Sequence, residues 1–141
     1  MKALSLTQPW ATLVAIGAKR YETRSWSTGY RGPLAIHASK GFPVWAKDLA
    51  LTEPFRSALQ AGGIWRLIDL PRGMVIAMTR LVTCYETGTV RRAGKLTANE
   101  VAFGDWAAGR FAWEFAEVVP MTPVPAKGSL GLWEFSGEWK I

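Results

Sequence analysis

The sequence is poor in the residues that form disulfides and most zinc sites. Its 141 residues include one cysteine, Cys84, and one histidine, His37. A single cysteine cannot build an internal disulfide framework, so we expect a cytoplasmic protein in a reducing compartment. Zinc sites made of cysteine and histidine need several such ligands together, so we expect no metal and no other cofactor. The low count of cysteine and histidine does not exclude a Mg²⁺ ion bound by carboxylates.

Long apolar runs and the common nucleotide motifs are also missing. No apolar stretch reaches the roughly 18 residues of a membrane span, and Gln8-Pro9 interrupts the start before a signal-type apolar core can form. Without a P-loop, Gly-x-Gly-x-x-Gly or Gly-x-Ser-x-Gly motif, functions as an NTPase, dinucleotide enzyme or α/β-hydrolase have no support. We expect one domain over residues 1–141, monomeric and without a membrane partner.

Positive charge and tryptophan are what the sequence has in excess. Lys and Arg total 17 against 11 Asp and Glu, a net charge of +6, and there are eight tryptophans. Residues 1–45 carry six basic residues and one acid, whereas residues 100–141 carry three basic residues and six acids. Basic charge attracts polyanions and aromatic rings stack on bases, which makes nucleic acid a candidate partner. The alternative is that tryptophan fills the core and the charge only aids solubility.

The hydrophobic pattern predicts a small α+β fold. Alternating or β-branched segments indicate strands near 4–6, 20–24, 34–39, 74–86 and 110–119, the last of them ended by Pro120, Pro123 and Pro125. Helices are predicted from Thr7 to Gly17, over 44–51 and 53–61, and after a capping box at Thr97–Glu100, whereas a polar loop is predicted at 91–95. This order predicts a partly open β-barrel of about five or six strands with short flanking helices.

The tryptophans divide into core and ligand candidates. Trp26 lies in a loop near Gly29 and is the best candidate for stacking on a base. Trp10 opens a helix and is expected to pack, and Trp139 to cover a sheet edge. Core positions are expected for Trp45, Trp65, Trp106, Trp113 and Trp133.

A dense cluster of charges follows the first predicted helix. Four of the six residues from Lys19 to Arg24 are charged. In an extended strand Arg20, Glu22 and Arg24 share one face, so a carboxylate between two guanidiniums would be held ionised and the excess positive charge would face an anion. Lys19 can meet Glu22 only from a turn. The alternative is a solvated strand edge whose charges discourage pairing.

This cluster, Gly17-x-Lys19-x-x-Glu22-x-Arg24, resembles the signature of the ASCH superfamily, the activating-signal-cointegrator homology domains related to PUA RNA-binding domains. Bacterial and phage members are similar over nearly the whole chain, through LSLxQPWA at 4–11, RSW at 24–26, YRGPLAIHASK at 30–40, FGDW at 103–106 and GSLGLW at 128–133. The resemblance implies a PUA-like barrel whose cleft, lined by the signature, binds or acts on RNA or nucleosides.

The first functional interpretation is an RNA- or nucleoside-binding cleft. Glu22 would accept from an exocyclic amine, Trp26 would stack, and cations would hold phosphate. The binding residues expected for it are Arg24, Ser25, Trp26, Ser39, Lys40, Lys127 and Ser129.

The second interpretation is a metal-independent hydrolase, a ribonuclease or an enzyme that deacetylates N4-acetylcytidine, with Lys19, Glu22 and His37 as catalytic residues. In the amidohydrolase pattern the motif lysine is followed three residues later by threonine, and a distant glutamate completes the site. Here that position is Glu22, and the distant glutamate has no assigned counterpart. His37 would be an acid or base, or else a half-buried histidine bonded to a backbone carbonyl. A third interpretation is a pure interaction domain.

Overall fold

One mixed six-stranded sheet organises residues 1–137, the part of the chain that this computed structural model describes. Its strands are β1 (Lys2–Leu6), β2 (Tyr21–Arg24), β3 (Gly32–Ala38), β4 (Met74–Glu86), β5 (Phe111–Pro125) and β6 (Leu132–Glu134). Their order in the sheet is β2-β5-β4-β3-β1-β6, with β1 parallel to β3 and the other pairs antiparallel. The sheet curls into a half-barrel, which confirms the predicted partly open barrel of five or six strands.

Short helices complete the α+β fold within residues 1–137. They are α1 (Trp10–Ala15), α2 (Val44–Ala50), α3 (Phe55–Ala61), α4 (Thr87–Arg92) and α5 (Ala98–Phe103), with one 3₁₀ turn at Leu67–Asp69. None of the helices in this part of the chain is long and apolar enough to cross a membrane. The helices lie at the connections between strands, so they set where the strand ends and loops of the functional site can lie.

Helix α1 packs its apolar face on the sheet. Leu13 and Val14 are fully buried, and the chain leaves the helix at Gly17, which has a φ of +81°. Glycine adopts this left-handed conformation without steric cost, as the sequence predicts for the helix end. The turn that follows delivers residues 19–24 to the sheet edge, because β2 pairs with β5 there.

The expectation that prolines end the fifth strand is wrong. Strand β5 continues to Pro125, with Pro120 paired to Ala77 of β4 and Pro125 to Met74. The physical reason is that β2 pairs only with residues 111–114 of β5, so within residues 1–137 the far half of β5 has β4 as its single sheet partner. Proline lacks a donor but is tolerated on such an edge.

The predicted polar loop at 91–95 is also wrong at its start. Arg91 and Arg92 belong to α4, which is anchored by the buried residues Thr87 and Val90. The Thr87 hydroxyl donates to the Ala107 carbonyl at 2.8 Å. Two buried anchors three residues apart hold this short helix against the sheet, which an inspection of charge alone does not reveal.

The structure confirms only part of the prediction that most tryptophans lie in the core. Trp106 and Trp113 are buried, but Trp45 and Trp65 are 62% and 72% exposed, so their assignment to the core is wrong. Trp45 is exposed because α2 buries its alanine face, Ala46 and Ala50, instead. Trp133 is half-buried, and Trp139 lies outside the described residues.

Candidate functional site

A cleft of about 1410 Å³ lies at the ends of several strands in the described part of the chain. The lining side chains come from β2 and the loop after it, from the ends of β3 and β5, and from the segments before β4 and after α5. Helices α1 and α2 also contribute to the lining. The lining residues that matter below are Glu22–Trp26, His37–Lys40, Trp10 and Trp45, Arg72–Gly73, Phe103–Asp105 with Arg110, and Ala126–Gly131. All the predicted site residues line this cleft except Lys19.

The motif carboxylate is held between two cations, but one of them is not the predicted one. Glu22 lies 3.6 Å from Lys19 Nζ and 3.5 Å from an Arg24 terminal nitrogen. Arg20 instead lies before β2 with its side chain exposed, so the expected pairing of Glu22 with Arg20 is wrong. Lys19 reaches Glu22 because it sits on the turn, which is the position that the spacing requires for such a contact.

Lys19 is a buried residue behind the cleft. It is 1% exposed, and its ammonium donates to the Phe103 carbonyl at 2.9 Å. The same carbonyl accepts from Trp10 Nε1 at 2.8 Å. Burial lowers the pKa of Lys19, while the nearby Glu22 and Glu100 carboxylates oppose that shift. The lysine therefore ties the end of α5 to the motif and stays one layer beneath the cleft wall.

Glu100 is predictable from the sequence only as part of a helix cap. Its backbone N–H donates to Thr97 Oγ1 at 3.1 Å, which confirms the threonine as the N-cap of α5. Its side chain, in a residue 5% exposed, accepts from the Arg20 backbone N–H at 2.7 Å. Burial raises the pKa of this carboxyl, and Arg20 and Lys19 act against the rise. Glu100 thus lies near enough to Lys19 for the two charges to interact.

Arg24 and Trp26 form the cleft wall next to Glu22. Arg24 donates to the Ser5 carbonyl at 2.7 Å, and its guanidinium carbon lies 5.8 Å from the centre of the Trp26 ring. Its buried Nε has no hydrogen-bond partner among the described residues. Trp26 packs edge-on against Trp113 at 4.8 Å and is half-buried, whereas Ser25 is exposed at the cleft. The wall therefore presents an ordered ring and a partly exposed guanidinium.

His37 is held by hydrogen bonds on both ring nitrogens. A carbonyl can only accept, so Nε2 donates to Ala126 O at 2.8 Å, and Nδ1 is hydrogen-bonded to Ser5 Oγ at 2.9 Å. Ser5 Oγ in turn accepts from Trp133 Nε1 at 3.0 Å. His37 is bonded to a backbone carbonyl, as in the structural alternative, but at 2% exposure it is buried and not half-buried.

The 127–131 loop is held against this histidine. A Cβ on Gly128 would lie 2.6 Å from both His37 Cε1 and Ser5 Oγ, so only glycine fits there. The loop presents Lys127 and Ser129, both exposed, to the cleft. Ser39 lies on the same wall, at the end of β3.

Three cations converge on the cleft from separate strand ends. Lys40 follows β3, Arg72 precedes β4 and Lys127 follows β5. The strand ends are joined because the Gly73 N–H donates to Ala38 O at 2.8 Å and Gly73 O accepts from the Ala126 N–H at 3.1 Å. Within residues 1–137 none of the three makes an ion pair. Arg72 was missed because it lies in no recognisable motif.

Acidic side chains are concentrated at the motif end of the same cleft. Asp105 pairs with Arg110 at 3.5 Å, and its backbone N–H donates to Thr23 Oγ1 at 2.8 Å. The described residues contain no group of three or more histidine, cysteine, aspartate or glutamate side chains that could hold a metal ion. The arrangement can therefore accept hydrogen bonds at one end and bind anions at the other.

Comparisons with known proteins agree on one family. The family model described as the ASCH domain matches residues 4–125. Activating signal cointegrator 1 from Homo sapiens and from Mus musculus are each 36% identical over 81 residues. That alignment covers 57% of this chain and 14% of each relative, so the chain matches only a small part of their length.

Solved structures show the same fold. The crystal structure of ASCH from Zymomonas mobilis superposes with a TM-score of 0.55, at 15% identity, covering 96% of this chain and 87% of that one. A serine-to-alanine mutant of the same Zymomonas mobilis protein gives a TM-score of 0.54 over 96% and 88% of the two chains, also at 15% identity. At this identity the likeness supports the six-stranded half-barrel alone.

Proposed function

Because the chain belongs to the ASCH domain family, we propose that its cleft binds RNA. The observation that carries the proposal is the convergence of Lys40, Arg72 and Lys127, three cations without an ion pair in the described part of the chain, on the cleft that also holds Glu22 and Trp26. Phosphate contacts from unpaired cations supply most of the sequence-independent affinity for nucleic acid.

The motif end of the cleft suits a nucleobase. Glu22 is a carboxylate at the wall and accepts from exocyclic amino groups, while the ordered ring of Trp26 offers a surface for stacking. The partly exposed guanidinium of Arg24, beside Trp26, can donate to a base carbonyl or a phosphate oxygen. Ser25 stands beside them with a hydroxyl that can donate or accept.

The strand-end side of the cleft suits the sugar-phosphate backbone. Lys40 and Lys127 are exposed, and the hydroxyls of Ser39 and Ser129 lie on the same wall. The 127–131 loop is fixed by the close approach of Gly128 to His37, so these groups are preorganised for a phosphate. In this proposal His37 positions the loop.

Salt dependence tests the proposal directly. We expect the affinity for a fluorescein-labelled single-stranded RNA, measured by anisotropy, to fall linearly on a log–log plot against salt. Lys40→Ala and Lys127→Ala should each reduce the slope by about 0.7, the value for one lost contact to a single strand. Lys95→Ala is the matched control, since this lysine is exposed and lies outside the cleft. An affinity that does not change with salt, or an equal reduction of the slope in all three variants, would refute phosphate binding in the cleft.

A second candidate function is hydrolysis, and the burial of Lys19 is the observation that favours it. A lysine whose pKa is lowered by desolvation can act as a base or nucleophile, and Glu22 and Glu100 lie next to it. Since Lys19 does not line the cleft, Glu22 is the group of this pair that would meet a substrate. A ribonuclease would use Lys40 to stabilise the phosphorane, and an amidohydrolase would use Lys19 with Glu22 on an acylated base.

Two substrates separate the hydrolytic alternatives. The purified protein is incubated with RNA and with N4-acetylcytidine, each in EDTA, and products are resolved by chromatography. Hydrolysis that disappears in Lys19→Met, in a protein that still binds RNA, supports an enzyme. Hydrolysis that survives in this variant removes Lys19 from the mechanism, and the absence of any product leaves binding as the function. Binding of neither RNA nor nucleosides would favour the pure interaction domain.

A further inference from the structure

Trp45 is an exposed tryptophan on the wall of a cleft. It is 62% exposed, and its ring centre lies 5.7 Å from that of Trp10 with the two planes tilted by 44°. Trp10 is itself fixed, since its Nε1 donates to Phe103 O and its ring packs edge-on against Phe55 at 6.0 Å. Trp45 therefore rests on a rigid neighbour and keeps much of its surface open to the cleft. Such a ring is a platform on which an unpaired base stacks.

Arg72 lines the same cleft as Trp45. The Gln8 side chain donates to Pro71 O at 2.8 Å. Pro71 directly precedes Arg72, and Gln8 lies two positions before Trp10 in the sequence. A Cβ built on Gly73, the next residue, would lie 3.8 Å from Lys40 Cβ. Arg72 thus follows a residue tied to Gln8, just before α1, and precedes one that lies close to Lys40.

The same cleft also holds the motif group of Glu22, Arg24 and Trp26. Each group combines an aromatic ring with at least one cation, which is the minimal set for one nucleotide. The cleft of about 1410 Å³ also exceeds the roughly 300–1,000 Å³ of a typical small-molecule pocket. The cleft is therefore larger than one nucleoside needs.

We propose that Trp45 and Arg72 form a second nucleotide subsite, so that the cleft takes a single-stranded RNA segment of at least two nucleotides. This inference rests on the proposed function and deepens it by assigning the ligand class. The strand must be unpaired, because a base can stack on Trp45 only when it has left a duplex. Phosphate binds Arg72 and Lys40 while the neighbouring base lies on Trp45.

A length series tests the second subsite. Uridine monophosphate and oligouridylates of two, four and eight nucleotides compete with a labelled RNA for the wild-type protein. We expect affinity to rise about tenfold or more between one and four nucleotides, since a second stacked base is then bound. Trp45→Ala should remove most of this gain, Trp45→Phe should restore it, and Arg72→Ala should lower the salt slope by about 0.7.

Matched controls come from outside the cleft. Trp65 is 72% exposed and Arg56 is exposed, and neither lines the cleft, so Trp65→Ala and Arg56→Ala should leave the length series unchanged. Affinity that does not rise with length, equal binding of a duplex, or a Trp45→Ala defect in self-association instead of RNA binding would overturn the inference. If wild-type protein binds no RNA of any length, the proposed function itself fails, which is a distinct outcome.

Discussion

Replacing Lys19 with methionine separates the structural from the chemical role of the motif lysine. The ammonium is buried and has two polar partners at 2.9 Å and 3.6 Å, Phe103 O and Glu22. Methionine has a similar length and no charge, so the substitution removes the ammonium and keeps most of the buried stem. The size of the loss depends on what those partners do without the lysine.

The structure predicts a small loss of stability. Phe103 O keeps the Trp10 Nε1 hydrogen bond at 2.8 Å, and Glu22 keeps Arg24 at 3.5 Å, so neither group is orphaned. A hydrogen bond to a charged group contributes about 1.5–3 kcal/mol, but removing the ammonium also removes several kcal/mol of desolvation cost. Glu100 loses a favourable charge and can take up a proton, because burial already raises its pKa. We expect a net loss below about 2 kcal/mol.

Urea unfolding followed by tryptophan fluorescence measures this loss, with an unchanged m-value as the sign that the folded state is intact. Lys19→Ala is the comparison, since it also removes the buried stem and should cost about 2–5 kcal/mol more than Lys19→Met. A loss of about 3–5 kcal/mol in the methionine variant itself would refute the reasoning, because that is the cost of leaving a buried charge without a partner.

Three further predictions concern the framework of the site. Thr97→Ala removes the N-cap acceptor of α5 and should cost about 1 kcal/mol in urea unfolding, which Thr97→Ser restores. Burial raises the pKa of Glu100 above its value in the unfolded chain, so the folded state binds more protons. The free energy of unfolding therefore falls as pH rises from the unfolded pKa through the folded pKa. Glu100→Gln should flatten this fall in unfolding experiments at several pH values. Gly128→Ala places a Cβ 2.6 Å from His37 and should weaken RNA binding in anisotropy assays, whereas Gly29→Ala, with open space around it, should not.

The elements that sequence predicts best are those whose signal is local. The run of β-branched and apolar residues gives β4 its bounds at Met74–Glu86, Gly17 ends α1, and Thr97 caps α5. The prediction that prolines end β5 was wrong because a strand tolerates proline where it lacks a second partner, and here that depends on the shortness of β2, which is far away in sequence. Trp45 misled for a similar reason, since its exposure follows from which face α2 buries.

The site was predictable where a motif is continuous and not where it is assembled by the fold. The position of Lys19 on a turn is sufficient to bring its ammonium to Glu22, three residues on. Arg72 reaches the cleft only because the segments around residues 38, 73 and 126 are hydrogen-bonded to one another, which no local pattern encodes. Glu100 was visible as a capping residue, but its side chain accepts from Arg20, across 80 positions of sequence.

The distribution of charge in the cleft would separate the base from the phosphates of a bound strand. The lining includes five basic residues and two acids, and both acids, Glu22 and Asp105, lie at the motif end with Arg24 and Arg110 beside them. Carboxylates repel phosphate but accept from amino groups, so the motif end favours a base edge and disfavours the backbone. The unpaired cations at the strand ends attract phosphate. The proposed RNA would therefore have one base read at the motif and its phosphates held at the strand ends, next to the base that stacks on Trp45.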